Sequence, residues 1–120
     1  MKEILFYKNK LGKSPIEVFL DSLSLKEVEK VIWVLQLIEE SHRVSTKFYK
    51  KLVNTDDIVE VRIQHSNNNF RLLGFEHKGK FIVLTNAFRK KDQKTPKKEI
   101  LLAERRKEEY LSNEWFTKIH

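Results

Sequence analysis

Hydrophobic and polar positions alternate most cleanly from Ile58 to His65, where Val59, Val61 and Ile63 point one way and Glu60, Arg62 and Gln64 the other. That period of two predicts a half-buried strand. A second strand is expected over Phe70–His77 and a third over Lys80–Phe88, whose run Phe81-Ile82-Val83-Leu84 suits a strand covered on both faces. Earlier in the chain the period lengthens. Leu25, Val28, Val31, Ile32, Leu35 and Ile38 recur at helical spacing, widened by Trp33, Val34 and Leu37, and predict a helix to about Ser41. Ser24 with Glu27 forms a capping box at its start, and Ser14-Pro15-Ile16-Glu17 opens a shorter helix through Leu20 in the same way. Lys2–Lys8 reads as a short strand, and His42–Asp57 as an irregular polar segment. Thr95-Pro96 looks like an N-cap and first helical residue for a helix from Lys97 to about Leu111. The tail from Asn113 to His120 carries Trp115 and Phe116, which are expected to pack against the domain.

Turn chemistry extends these elements to a register. With Ser66–Asn69 as a four-residue loop, Gln64 falls opposite Arg71 and Arg62 opposite Leu73. With Lys78-Gly79 as a two-residue hairpin, Arg71 falls opposite Asn86 and Leu73 opposite Leu84. One sheet face then holds Val59, Val61, Ile63, Phe70, Leu72, Val83 and Thr85, beneath the two N-terminal helices. The other holds Leu73, Phe75, Ile82 and Leu84 at one end, which need the C-terminal helix as a cover. Its far end carries Arg62, Gln64, Arg71, Asn86 and Phe88, beside the cationic loop Arg89–Lys94. The expected architecture is a single α+β domain over residues 1–120. Its sheet is mostly antiparallel and twisted, with two helices on one face and a C-terminal helix.

Composition narrows what that cationic end does. The chain of 120 residues has 40% hydrophobic and 34% charged residues, a net charge of +7 and an isoelectric point near 9.6. Such a balance favours an anionic partner, and nucleic acid is the commonest one for a small basic protein. No apolar run is long enough to span a bilayer, no signal-peptide core is visible, and cysteine is absent. A cytoplasmic protein with no membrane partner is therefore expected. The four histidines lack metal-ligand spacing, so neither a metal nor a small-molecule cofactor is expected. His65 and His77 are expected at the surface. Three glycines cannot build a phosphate loop, and Glu104–Glu109 (ERRKEE) reads as a solvated, self-pairing helix face.

Paired guanidiniums suit a phosphate because each donates two parallel bonds, and lysines track a nucleic-acid backbone. The competing structural account pairs Arg62 and Arg71 with Glu60 and Glu76. Phe88 either stacks a base or closes the edge of the core.

Three segments carry a family likeness: KKLVNTDDIVEVR (50–62), FRLLGF (70–75) and IVLTNAFRKKDQKTPKKEILLAERR (82–106). They resemble the phage-derived, HigB-like branch of the RelE toxin superfamily, with K-T-P-x-x-E-I-x-x-A (Lys94, Thr95, Pro96, Glu99, Ile100, Ala103) the most specific part. The resemblance implies a RelE-like fold and ribosome-dependent, metal-independent cleavage of mRNA by 2′-OH attack. It also implies mRNA and the ribosome as partners, and neutralisation by a helix-turn-helix antitoxin. It places catalytic roles on Arg62, Arg71, Lys90 and Lys91, and contacts to RNA or ribosome on Lys50, Lys51, Asn86, Phe88, Arg89 and Lys94. Where the family often has His-Gly before the phenylalanine, this chain has Asn86-Ala87, so no imidazole stands ready as general base. The alternative is a non-enzymatic binder on the same fold, either a gyrase-inhibiting relative or an inactive RNA-binding module.

Overall fold

In the computed structural model, which describes residues 2–91 and 94–119 and their side chains as far as Asn113, a five-stranded mixed sheet lies between helices on both faces. The elements in chain order are β1 (Glu3–Phe6), α1 (Pro15–Asp21), α2 (Leu25–Glu40), β2 (Tyr49–Lys51), β3 (Ile58–His65), β4 (Asn68–His77), β5 (Phe81–Arg89) and α3 (Lys97–Ile119). Sheet order is β1-β5-β4-β3-β2, with β1 parallel to β5 and every other pair antiparallel. The N-terminal segment therefore joins the sheet as expected. The segment read as wholly irregular contributes β2, whose three residues pair with Val59–Val61; three residues are too few for alternation to stand out. The tail continues α3, and the expected packing of Trp115 and Phe116 falls on side chains outside those described.

Both capping signals form at α1 and α2. Ser14 and Ser24 accept from the amides of Glu17 and Glu27, and Glu27 returns a bond to the Ser24 amide. The buried stripe of α2 is Glu27, Val31, Val34, Leu35 and Ile38, whereas Leu25, Ile32 and Trp33 are exposed. The stripe is thus rotated toward Val34, which lies three residues from Val31 and four from Ile38. These side chains meet Ile16, Val59, Val61, Ile63, Phe70, Leu72, Ile82 and Leu84 in the main core. On the opposite face two smaller clusters underlie α3: Tyr7, Phe75 and Val83 with Tyr110, and Ile58, Leu73 and Ala103 with Ile100 and Phe88.

Register explains where the expected faces hold and where they fail. The β3–β4 turn is two residues long, Ser66-Asn67, with Ser66 in the left-handed region (φ 54°). Arg62 consequently sits opposite Arg71, a shift of two that keeps each residue on its expected face. The β4–β5 loop has three residues, Lys78–Lys80, the first two left-handed, so Phe75 pairs with Val83 and Gly74 with Leu84. That odd residue turns Ile82 and Leu84 into the main core and Val83 toward α3, the reverse of the expected assignment. A bulge between Leu73 and Gly74, absorbing Thr85, then restores parity, and Leu73 lies opposite Asn86 and Arg71 opposite Phe88. Thr85 leaves the predicted core face, and its hydroxyl donates to the Leu73 carbonyl at 3.1 Å. Gly74 is required here, because a Cβ would stand 2.1 Å from the Val83 carbonyl oxygen.

Candidate functional site

Strand alternation carries Glu60, Arg62 and Gln64 of β3 to the α3 face, and register sets Lys50 opposite Glu60, Arg71 opposite Arg62 and Asn69 opposite Gln64. Glu60 is completely buried. Arg62 Nε donates to its Oε1 at 2.9 Å, Arg71 Nε stands 3.6 Å from the same oxygen, and the Thr95 hydroxyl donates to Oε2. Thr95 therefore ties the segment before α3 to the sheet instead of capping the helix. The cap position falls on Pro96, whose carbonyl accepts from Glu99 and Ile100.

The two arginines are not equivalent. Arg62 keeps 30% of its side chain exposed and also reaches the Thr46 carbonyl. Arg71 keeps 11%, donates through Nη1 to the Phe70 carbonyl, and leaves Nε without a hydrogen-bond partner. Burial holds the Arg71 guanidinium below arginine's ordinary pKa, with Glu60 opposing and Arg62 adding to the depression. Lys90 completes the group from the end of β5. Burial lowers its ammonium pKa first, the Arg71 charge next, and Arg62 and Lys50 lower it further against the pull of Glu60. Four cations from four chain segments thus converge on one buried carboxylate. Glu60 entered the sequence reading only as a pairing partner; the legible signal was an acid two residues before Arg62, on the same strand face.

The remaining candidates divide. Lys91, next in sequence to Lys90, and Lys94 are exposed, while Asp92 and Gln93 lie outside the described residues. Lys51 falls on the opposite face, 3.7 Å from Glu76, because it pairs one register step away from Lys50. Arg89 also belongs to that opposite face, 5.1 Å over the Phe70 ring. Asn86 is buried and spent: its amide donates to the Glu99 carbonyl and carboxylate, and its oxygen accepts from Thr85. Phe88 packs in the small core beneath α3. Those four do not join the cationic group.

Polar contacts join the two apolar clusters in holding helix α3. Besides Asn86 with Glu99, Arg106 donates to the Thr85 carbonyl, Lys107 to the Asp56 carbonyl, and Glu104 accepts from the Asp56 amide. Within the run Glu104–Glu109, Glu104, Arg106 and Lys107 thus dock against the domain, while Arg105 and Glu108 are exposed as expected. His77 packs edge-on against Phe75 and Tyr110.

Sequence reasoning also missed an adjoining cleft of about 400 Å³, in which Lys30, Lys47 and Phe48 join Arg62, Gln64, Asn69 and Arg71. Lys30 comes from α2 and Lys47-Phe48 from the segment just before β2, a juxtaposition with no local sequence signature. Among the described residues there is no cluster of three or more metal-ligating side chains, and no helix is long and apolar enough to cross a membrane.

The family model described as phage-derived protein Gp49-like (DUF891) matches residues 18–108, well over half of the chain. No curated protein matches the chain.

Proposed function

Because this chain belongs to the phage-derived Gp49-like family (DUF891), a family associated with RelE-like and toxin-like proteins, we propose that it is the toxin of a toxin–antitoxin pair. In this reading it is HigB-like, cleaves mRNA on the ribosome, and is neutralised by a helix-turn-helix antitoxin. The observation that supports it is the convergence of Lys50, Arg62, Arg71 and Lys90 on one sheet end around Glu60.

Cleavage proceeds by attack of a ribose 2′-oxygen on the adjacent phosphorus. The bond to the 5′-oxygen breaks, leaving a 2′,3′-cyclic phosphate and a 5′-hydroxyl. Charge accumulates on the non-bridging oxygens in the transition state, where preplaced donors act most strongly. Arg62, the more exposed guanidinium, meets that phosphate, with the unpartnered Nε of Arg71 behind it. Lys90, whose ammonium loses its proton more readily than an ordinary lysine, transfers protons: it takes one from the 2′-hydroxyl and returns one to the departing 5′-oxygen. Lys50, Lys91 and Lys94 hold the strand, and the ribosome supplies the in-line geometry.

The test is translation-dependent cleavage by purified protein on programmed ribosomes. Arg62→Ala should lower the rate about 10²–10³-fold, by analogy with loss of one oxyanion donor, with an unchanged circular dichroism spectrum. Arg71→Ala is a poorer probe than the sequence alone suggests, because its buried side chain also supports the fold. The non-enzymatic alternative draws on Glu60 occupying both arginines, and absence of cleavage by the wild-type protein would favour it; full cleavage by Arg62→Ala would instead show that another group meets the phosphate.

A further inference from the structure

We propose that the cleft beside the cationic group is a subsite for one nucleotide of a single-stranded RNA, with Phe48 stacking its base and the Gln64–Asn69 amide pair reading the base edge. Gln64 and Asn69 form one rung of the β3–β4 ladder, and Arg62 and Arg71 form the next rung but one on the same face. Two residues along a strand span about 7 Å. A phosphate held at the arginines therefore leaves its own nucleoside level with the amides. Among the described residues neither amide side chain is hydrogen-bonded to another group, and Gln64 is exposed. An amide carries both a donor and an acceptor, so two of them discriminate among base edges that phosphate-binding cations cannot tell apart.

The walls complete the chemistry. The Phe48 ring is steadied edge-on by Trp33, with centroids 5.8 Å apart, and offers the aromatic surface on which an unstacked base rests. Lys47 lies over the Phe48 ring, 5.5 Å from its centroid, and Lys30 lies 4.6 Å over Trp33; a base stacking on Phe48 takes the place of the exposed Lys47 ammonium, which swings out to the neighbouring phosphate. The volume of about 400 Å³ is at the small end for ligand sites and fits a single nucleotide better than a duplex. Lys30 lies on α2, so the helix that supplies the main core also supplies one wall of the subsite.

This inference rests on the RNA-cleaving reading for its context, and its test is separable from cleavage. Short 2′-O-methyl tetranucleotides of varied sequence, which cannot be cleaved by 2′-OH attack, are titrated into the intact protein and followed by the side-chain amide signals of Gln64 and Asn69. At least one sequence should move both signals in a saturable way. Phe48→Ala should weaken that binding about tenfold or more, as expected for loss of one stacked base. Gln64→Ala with Asn69→Ala should leave binding but level the preference among sequences, and should broaden the cleavage pattern on ribosomes without abolishing it. Unmoved amide signals with every tetranucleotide would overturn the subsite even if the wild-type protein cleaves. Saturable movement in a protein that cleaves nothing would keep the subsite and remove the nuclease. Nucleoside monophosphates binding as tightly as the tetranucleotides would also overturn it, by assigning the cleft to a soluble nucleotide.

Discussion

Replacing Glu60 by Gln keeps the shape of the buried side chain and removes its charge. Three interactions change. The Arg62 bond at 2.9 Å becomes one to a neutral acceptor, a loss of about 1 kcal/mol given the difference between charged and neutral hydrogen bonds. The Arg71 ion pair at 3.6 Å disappears. At an effective dielectric of about 20 its gross attraction is roughly 4–5 kcal/mol, and the desolvation already borne by the carboxylate offsets more than half. The Thr95 hydroxyl, which donates to Oε2, then faces the glutamine NH2 and accepts from it instead, because the one carboxamide oxygen stays with Arg62. The sum is about 2–3 kcal/mol, which for a domain of this size lowers the melting temperature by roughly 8–12 °C. Thermal unfolding followed by circular dichroism measures it, with the Arg62 Nε–H signal reporting release of that side chain. A Glu60→Gln protein that melts within about 2 °C of wild type, its Arg62 signal unmoved, would refute the claim that this carboxylate organises the site.

Three further outcomes follow from the same geometry. Gly74→Ala should cost more than about 3 kcal/mol and lower yield of folded protein, because its Cβ collides with the Val83 backbone, which cannot yield as a side chain can; an unchanged denaturation midpoint would show that the bulge is absent. Tyr49, half-buried and donating to Glu76 at 2.6 Å, has its phenol pKa pushed above the ordinary value by desolvation and by that carboxylate. A raised pKa gives stability that is full below about pH 10 and lost above it, so Tyr49→Phe should lower stability by about 1–2 kcal/mol at pH 7 and flatten the alkaline decline in pH-dependent melts. If Lys90 transfers protons, its free-amine fraction should limit cleavage below its depressed pKa; Lys90→Arg should then abolish the rise in rate with pH while preserving RNA binding, and an intact rise would assign the proton to another group.

Much of this arrangement is legible in the chain, and for reasons that can be named. The serine caps at Ser14 and Ser24 are local chemistry and came through, with the full reciprocal box shown at Ser24. The shared face of Arg62 and Arg71 survived a misread turn because the error was two residues, and side-chain facing depends only on parity. The β5 faces illustrate the opposite case. A three-residue loop where Lys78-Gly79 suggests two reversed Ile82, Val83 and Leu84, and the Thr85 bulge cancelled the error before Phe88. No pattern of apolar residues announces a bulge when both sheet faces are covered. Asn86 could not be read as a helix anchor, since its partner Glu99 lies thirteen positions away in the next element. The placements of Lys51 and Arg89 failed more simply: neighbours in sequence along a strand point to opposite faces, and proximity to Lys50 or Lys90 does not override that.

The parallel pairing of β1 with β5 has a consequence for the order of assembly. Glu3 meets Phe81, so β1 leaves the ribosome without its strand partner until 78 further residues have followed. At about 5–20 residues per second that delay is roughly 4–16 s. During it the β2–β4 meander can close from local contacts, while the slot beside β5 does not yet exist. The guanidiniums of β3 and β4 are thus in register before the sheet that supports them is finished, and its completion depends on the strand pairing that spans the longest stretch of chain. A nascent chain stalled before residue 81 would carry both arginines yet lack Lys90, leaving protein synthesis itself to time when the cationic group is assembled.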